Sequence, residues 1–265
     1  MAVWRLIKPK VGDGYTNMAV DEAIMKARIE NKVSNTLRFY KWKPSAVSIG
    51  RFQTPTDEIY VNNCKKHEVD IVRRITGGGA VYHDQNGEIT YSVVAKTADL
   101  GLKKLDMVNA YQKICKGLNE AFITLGTKAE YRPPDPKRCP NLTINGKKIS
   151  GNAQSSKKGI LLQHGTFLLN LDHERMFTFL KVPWAKTLNN VLEVSKRKLT
   201  SVKQELGSNF STQEAYQALV QGFTKALNVQ FVEEELTAYE LKLAEKIRKE
   251  RFVTEEWTFL GKSSA

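Results

Sequence analysis

Two short segments concentrate groups able to bind phosphate and carboxylate oxygens. The first is Arg73-Arg-Ile-Thr-Gly-Gly-Gly-Ala-Val-Tyr-His83. Three consecutive glycines are costly to order, so something there must require a bare backbone. Successive amide N–H groups in such a turn form a concave nest for phosphate oxygens. Arg73 and Arg74 alternate across a predicted strand, so one of them faces that nest. A guanidinium beside backbone N–H groups suits a nucleotide phosphate. The segment is not a Walker A loop, since no Gly-Lys-Ser/Thr follows, and it lacks the G-x-G-x-x-G of a dinucleotide fold. Taken alone, the glycines fit a tight turn with solvated arginines equally well.

The second segment is Ile144-Asn-Gly-Lys-Lys-Ile-Ser-Gly-Asn-Ala-Gln154. Asn145-Gly146 tolerates the positive φ of a type I′ turn and predicts a hairpin. Period-two alternation then puts Lys148 and Ser150 on one face and Lys147 and Ile149 on the other. A strand-borne lysine facing a carboxylate and an α-phosphate would stabilise the charge built up in adenylation. On its own, a lysine beside a hairpin turn is ordinarily a solvated side chain. A third candidate, Cys139, sits in the proline-rich stretch just before this hairpin. As a thiolate it would support thioester chemistry without ATP. A lone loop cysteine is more often an incidental thiol.

The elements that must position these groups can be read from pattern. Thr16 to Glu30 reads as a helix capped by Thr16 or Asn17, with Val20, Ala23, Ile24 and Ala27 on one face. Strands are predicted at Thr36–Trp42, Ala46–Gly50, Asp70–Ile75, Ala80–His83 and Ile89–Val94, the first two flanking Lys43-Pro44. From Val108 the period becomes helical through Leu125. Residues 132–140, with four prolines, read as a loop. Gly159–Leu171 is a further strand pair or one long strand. The last third reads as helical, with capping boxes at Ser211/Glu214 and Thr237/Glu240. This order predicts an α+β (mixed α/β) fold with a central mixed β-sheet flanked by helices, not regular βαβ winding.

Composition sets limits. The 265 residues carry 41 Lys and Arg against 28 Asp and Glu, a formal charge of +13, which favours anionic partners. The lysines are spread along the chain, so the commonest reading is a basic soluble surface. Cys64, Cys115 and Cys139 show no C-x-x-C spacing, which argues against a disulfide framework or zinc knuckle. The four histidines show no ligand-like pairing, so no metal ligand is assigned. No apolar run reaches the ~20 residues of a membrane span, and the N-terminus does not read as a signal peptide. The expected compartment is the cytoplasm.

Five blocks, in order, carry a resemblance: Asn17–Ala23, Leu37–Gly50, Arg73–Asp84, Gly146–Gln154 and Gln163–Thr166. Together they resemble the lipoate–protein ligase A family over about residues 15–170, and the tail with Thr254-Glu-Glu-Trp257 is similar to short ligases of that family. The resemblance implies a single catalytic domain over residues 1–265, helical over 200–265. Its fold would be biotin/lipoate protein ligase-like, related to the catalytic domains of class II aminoacyl-tRNA synthetases. It places Arg74, Gly79, Ala80, Val81 and Tyr82 at the nucleotide and Lys148 as the catalytic lysine. Gly77, Gly78, His83 and His164 fall near the lipoyl group. The implied activity is ATP-dependent lipoate–protein ligation. Lipoate would be activated with ATP and Mg²⁺, then passed to a lysine of an E2 or glycine-cleavage H carrier domain.

Two departures bear on this expectation. Self-sufficient ligases of the family have a small C-terminal domain not recognisable here, which implies a separate accessory protein. Related octanoyl-transferases place a nucleophilic cysteine near the position of Cys139, although they replace the third glycine and their cysteine-to-lysine spacing differs. An octanoyl- or lipoyl-transferase acting through Cys139 is therefore the alternative. A basic nucleic-acid-binding module on the same fold, without chemistry, is the alternative of another class.

Overall fold

In the computed structural model the described residues are 1–102, 106–134, 140–182, 185, 187–207 and 210–262. The framework is an eight-stranded mixed sheet in the order β11-β1-β2-β6-β10-β9-β8-β7. Its strands are β1 (Ala2–Gly12), β2 (Thr36–Trp42), β6 (Glu88–Lys96), β7 (Glu130–Arg132), β8 (Asn141–Ile144), β9 (Lys147–Lys157), β10 (Ile160–Leu168) and β11 (Val229–Glu233). β1 pairs in parallel with both β2 and β11, and the remaining pairs are antiparallel. A second sheet, β4-β3-β5, is built from β3 (Ala46–Ile49), β4 (Asp70–Arg73) and β5 (Val81–His83). The mixed α+β architecture expected from the sequence is observed.

Helices cover both faces of the large sheet. In chain order they are α1 (Gly14–Ile29), α2 (Pro55–Glu58), α3 (Val61–Lys66), α4 (Met107–Thr124), α5 (His173–Phe179), α6 (Leu188–Lys198), α7 (Val202–Leu206), α8 (Thr212–Leu227), α9 (Ala238–Ile247) and α10 (Glu255–Leu260). On one face Phe39, Tyr91 and Val93 of the sheet pack with Leu118 and Phe122 of α4 and Leu219 and Phe223 of α8. These two helices approach closely, since a Cβ on Gly222 would lie 2.4 Å from the carbonyl of Gly117. On the other face Tyr40, Trp42, Val94 and Leu162 pack with Met18, Ala23 and Ile24 of α1, Ala244 of α9, and Trp257 of α10. Among the described residues no helix is long and apolar enough to cross a membrane.

Several local expectations need correction. The cap of α1 is Asp13, whose carboxylate accepts from the Thr16 amide at 2.6 Å, so the helix begins three residues before the apolar stripe suggests. The C-terminal third is not wholly helical, because β11 returns to pair with β1. The register of the Lys148 hairpin also shifts: Thr143 faces Lys148 but Leu142 faces Ser150. That extra residue is a bulge, and it breaks the predicted alternation. Ile149 and Ser150 are both fully buried, while Lys148 is left partly exposed. The type I′ turn itself is as read, with Asn145 at φ 49° and Gly146 at φ 77°.

Candidate active site

The two sheets meet along a cleft enclosing about 600 Å³ of empty space including its mouth. One wall is the glycine loop and β5, through Gly78, Gly79, Ala80, Val81 and His83. The other is β9 and β10, through Lys148, Gly151, Asn152, His164 and Thr166. Met18, Tyr40 and Trp42 supply apolar surface.

Arg74 organises the glycine loop from behind. Its Nη2 donates to the carbonyls of Gly77 and Gly79 at 2.9 and 3.0 Å. Its Nη1 donates to the carbonyl and hydroxyl of Ser48 at 2.8 and 2.9 Å, and its Nε to Thr76 Oγ1 at 3.3 Å. Five N–H groups thus meet five protein acceptors, the full capacity of a guanidinium. With these two carbonyls held by Arg74, the glycine loop is braced from one side. Among the described residues no acceptor is found for the amide N–H groups of Gly77, Gly78, Gly79 or Ala80. Gly78 adopts φ 94°, a conformation that only glycine holds cheaply. Gly50 is required beneath it, because a Cβ there would lie 1.9 Å from the Gly78 carbonyl oxygen.

Two buried relays end at the same guanidinium. His164 Nδ1 lies 3.0 Å from Asp21 Oδ2, and its Nε2 lies 2.8 Å from Thr76 Oγ1. His83 Nδ1 lies 2.8 Å from Glu88 Oε1, and its Nε2 lies 2.7 Å from Ser48 Oγ. Ser48 and Thr76 both accept from Arg74, so each hydroxyl proton is available for the histidine Nε2. At His164 the ring then donates its Nδ1–H to the Asp21 carboxylate and stays neutral. Burial pushes the His164 pKa below its usual range, against the opposing pull of Asp21, and Arg74 and His83 lower it further. Burial pushes the Asp21 carboxyl up, but Arg38 (2.6 Å away) and His164 together outweigh it and hold the pKa low. Sequence reading found no carboxylate partner for these histidines. His83 and Glu88 lie five residues apart, on two strands joined by a turn, and Asp21 is 143 positions from His164, so no spacing marks either pair.

Among the residues singled out from sequence, Arg74, Gly78, Gly79, Ala80, Val81, His83, Lys148 and His164 line this cleft. Gly77 contributes its carbonyl to Arg74 from the loop's edge. Tyr82 does not join them: strand alternation turns it away to stack on Phe179, and its hydroxyl accepts from Arg175. Arg73 also points away, donating to the carbonyls of Trp257 and Thr258 on α10. The Lys148 side chain folds over Gly151, where a Cβ would lie 3.1 Å from Nζ. Cys139 lies outside the described residues, but its neighbour Pro140 lines the cleft.

Residues 13–224 match the lipoyl protein ligase A/B catalytic domain. The chain belongs to that family. It is 36% identical to the octanoyltransferase LipM of Brevibacillus brevis over 275 aligned positions, covering 97% of this chain and 99% of the relative. It is 30% identical to the octanoyltransferase LipM of Bacillus subtilis, covering 97% and 98%. Among solved structures, the bipartite lipoate protein ligase of Thermoplasma acidophilum superposes with a TM-score of 0.85 at 27% identity, covering 100% of this chain and 99% of that one. Membership of a lipoylation family and the lipoate-ligase fold are therefore as the resemblance implied.

The expected activity is not. Relatives matching from end to end are named octanoyltransferases, enzymes that move an acyl group, which overturns the reading as an ATP-dependent lipoate–protein ligase. ATP and Mg²⁺ fall with it. The cleft agrees on Mg²⁺, an ion held by oxygen ligands and typically by one or two carboxylates: the described residues that line it include no Asp or Glu. Arg74, expected at a nucleotide phosphate, has its N–H groups engaged by the protein itself.

Proposed function

We propose that this chain is an octanoyltransferase, moving an octanoyl group from a thioester donor to the lysine ε-amine of a lipoyl carrier domain through an acyl-enzyme on Cys139. The observation that carries the reading is its end-to-end match to octanoyltransferases, joined to a cleft that suits acyl transfer. Met18, Tyr40 and Trp42 offer apolar surface for a hydrocarbon chain, and Lys148 supplies a cation at the same opening. Pro140, a lining residue, directly follows Cys139 in the sequence, and the two described cysteines, Cys64 and Cys115, are buried away from the cleft.

In this reading the Cys139 thiolate attacks the donor carbonyl, and the donor thiol leaves with the proton that Cys139 gave up. The carrier lysine, as a free amine, then attacks the new thioester. An amide forms, the Cys139 thiol is regenerated, and no nucleotide is consumed. The Lys148 ammonium balances the developing oxyanion or the thiolate in both steps. The N–H groups of Gly78, Gly79 and Ala80, without an acceptor among the described residues, form a second donor set on the facing wall. E2 subunits and the glycine-cleavage H protein are the proposed acceptors, drawn by charge to a +13 chain if their surfaces are acidic. Without adenylation, a separate accessory protein has no step to perform.

The test is to mix the pure chain with a small octanoyl thioester and a lipoyl domain, without ATP. The domain should gain one octanoyl group, and the chain alone should gain one on Cys139 by peptide mass mapping. Octanoylation that requires ATP, with no Cys139 adduct, would overturn the proposal.

A further inference from the structure

The cleft contains a polar side chain that neither the family resemblance nor the reaction above assigns. Asn152 lies on β9, lines the cleft beside Gly151, and is only 7% exposed. Its Oδ1 accepts from the Tyr91 hydroxyl at 2.6 Å, and Ser150 Oγ lies 3.5 Å away. Its Nδ2 is buried and has no acceptor among the described residues. A buried amide donor without a partner loses its hydration with nothing to offset it, so an unpaired one calls for an explanation.

The orientation of the carboxamide is fixed from behind. Tyr91 is buried and its phenol is pushed well above its usual pKa by that burial, so it keeps its proton. Gln163 Nε2 donates to the Tyr91 oxygen at 2.5 Å, and Gln163 Oε1 accepts in turn from Gln154. Each donor in this chain is committed, so the Tyr91 proton goes to Asn152 Oδ1 and Nδ2 must turn the other way. Space has also been cleared for the group: a Cβ on Gly165 would lie 2.3 Å from Asn152 Oδ1.

We infer that Asn152 Nδ2 is a catalytic hydrogen-bond donor to the carbonyl oxygen of the bound acyl group, with Tyr91 as the residue that positions it. The inference rests on the acyl-transfer reading for its substrate, and it adds a neutral donor to the charge of Lys148. Such a donor strengthens as the carbonyl becomes an oxyanion, so its loss reduces turnover more than binding.

The experiment uses the full chain with two readouts. Binding of octanamide, which has the acyl chain and carbonyl but no leaving group, is followed by calorimetry. Turnover is followed as ATP-independent octanoyl transfer to a lipoyl domain. Asn152→Asp keeps the acceptor for Tyr91 and the shape of the side chain. Asn152→Ala combined with Tyr91→Phe removes both partners without adding charge, so a folding failure in one variant leaves the other. Both should bind octanamide at least about fivefold more weakly and turn over about a hundredfold more slowly, the order seen for loss of an oxyanion donor. Tyr91→Phe alone should lose kcat with little change in KM. It should add nothing in the Asn152→Ala background, which a purely structural role would not produce. Variants that bind octanamide and transfer octanoyl within twofold of the native chain overturn the inference and leave the transferase reading intact. Weakened octanamide binding with no transfer by the native chain keeps the donor and overturns the transferase reading.

Discussion

His164 Nδ1 sits 3.0 Å from Asp21 Oδ2, joining β10 to α1 beneath the glycine loop. The folded pKa of His164 is lowered chiefly by burial, so the unfolded chain binds a proton there more readily. Stability from this site is complete above the ordinary histidine value of 6.5 and declines as pH falls below it. Asp21 is held low, so its contribution is lost only when pH drops below the ordinary 3.8. Denaturant unfolding from pH 7 to 5 should therefore show falling stability, with a slope of up to about 1.4 kcal/mol per pH unit from this group. In His164→Gln that part of the slope should vanish. An unchanged slope would show that other groups govern the acid limb.

The close approach of Gly50 to Gly78 predicts a site-specific lesion. A methyl group at Gly50 would lie 1.9 Å from the Gly78 carbonyl oxygen, so Gly50→Ala must displace the loop or the strand end that carries Arg74. Overpacking of this kind costs about 1–3 kcal/mol, which a domain of this size can absorb. Octanoyl transfer should fall at least tenfold while circular dichroism remains native. Full activity in the variant would mean that the loop conformation does not matter to the reaction.

The tail helix is tied to the site's scaffold rather than to its chemistry. Trp257 Nε1 donates to the Arg73 carbonyl at 2.8 Å in a buried setting. Trp257→Phe leaves that carbonyl without its donor, a loss of about 1–3 kcal/mol. At about 2–4 °C per kcal/mol the melting temperature should drop by several degrees. Because Arg74 and not Arg73 braces the glycine loop, transfer by the folded variant should stay within about twofold at 20 °C. A large loss of activity without a thermal shift would contradict this division of roles.

What could be read from the residues was whatever depended on local geometry. Asn145-Gly146 announced a type I′ turn because few residues tolerate two positive φ angles, and both capping boxes formed because their partners lie three positions apart. The glycine run marked a loop that needs a bare backbone, since Gly78 adopts φ 94°. Its bracing was not legible, because Ser48 and Arg74 become neighbours only through pairing of β3 with β4. The bulge at Lys148–Ile149 left no mark in a stretch whose side chains alternate plausibly in either register. β11 was hidden by its position between two helices, five residues with only one buried. Asn152 fell inside a segment marked from sequence, but nothing in that segment shows its hydrogen bond to Tyr91, 61 positions away. The choice between ligation and transfer turned on Lys148 and Cys139, two residues that either chemistry could use.

Those two residues support the sharpest prediction. If the acyl group passes through Cys139, Cys139→Ser should abolish the acyl adduct and the overall transfer, because a serine hydroxyl without an activating base is a poor nucleophile. Lys148→Ala should act on both half-reactions, lowering adduct formation and its discharge to the carrier lysine by about a hundred- to a thousandfold, as for loss of a group that stabilises an oxyanion. The position of the cation should matter as well as its presence. A Cβ on Gly151 would lie 3.1 Å from Lys148 Nζ, so Gly151→Ala must shift the ammonium by a few tenths of an ångström. Turnover should fall about tenfold with native stability. Single-turnover assays from an octanoyl thioester, with the adduct quantified by mass spectrometry, separate the two steps. If Cys139→Ser still transfers octanoate while Lys148→Ala does not, the acyl-enzyme is absent and the lysine alone carries the reaction.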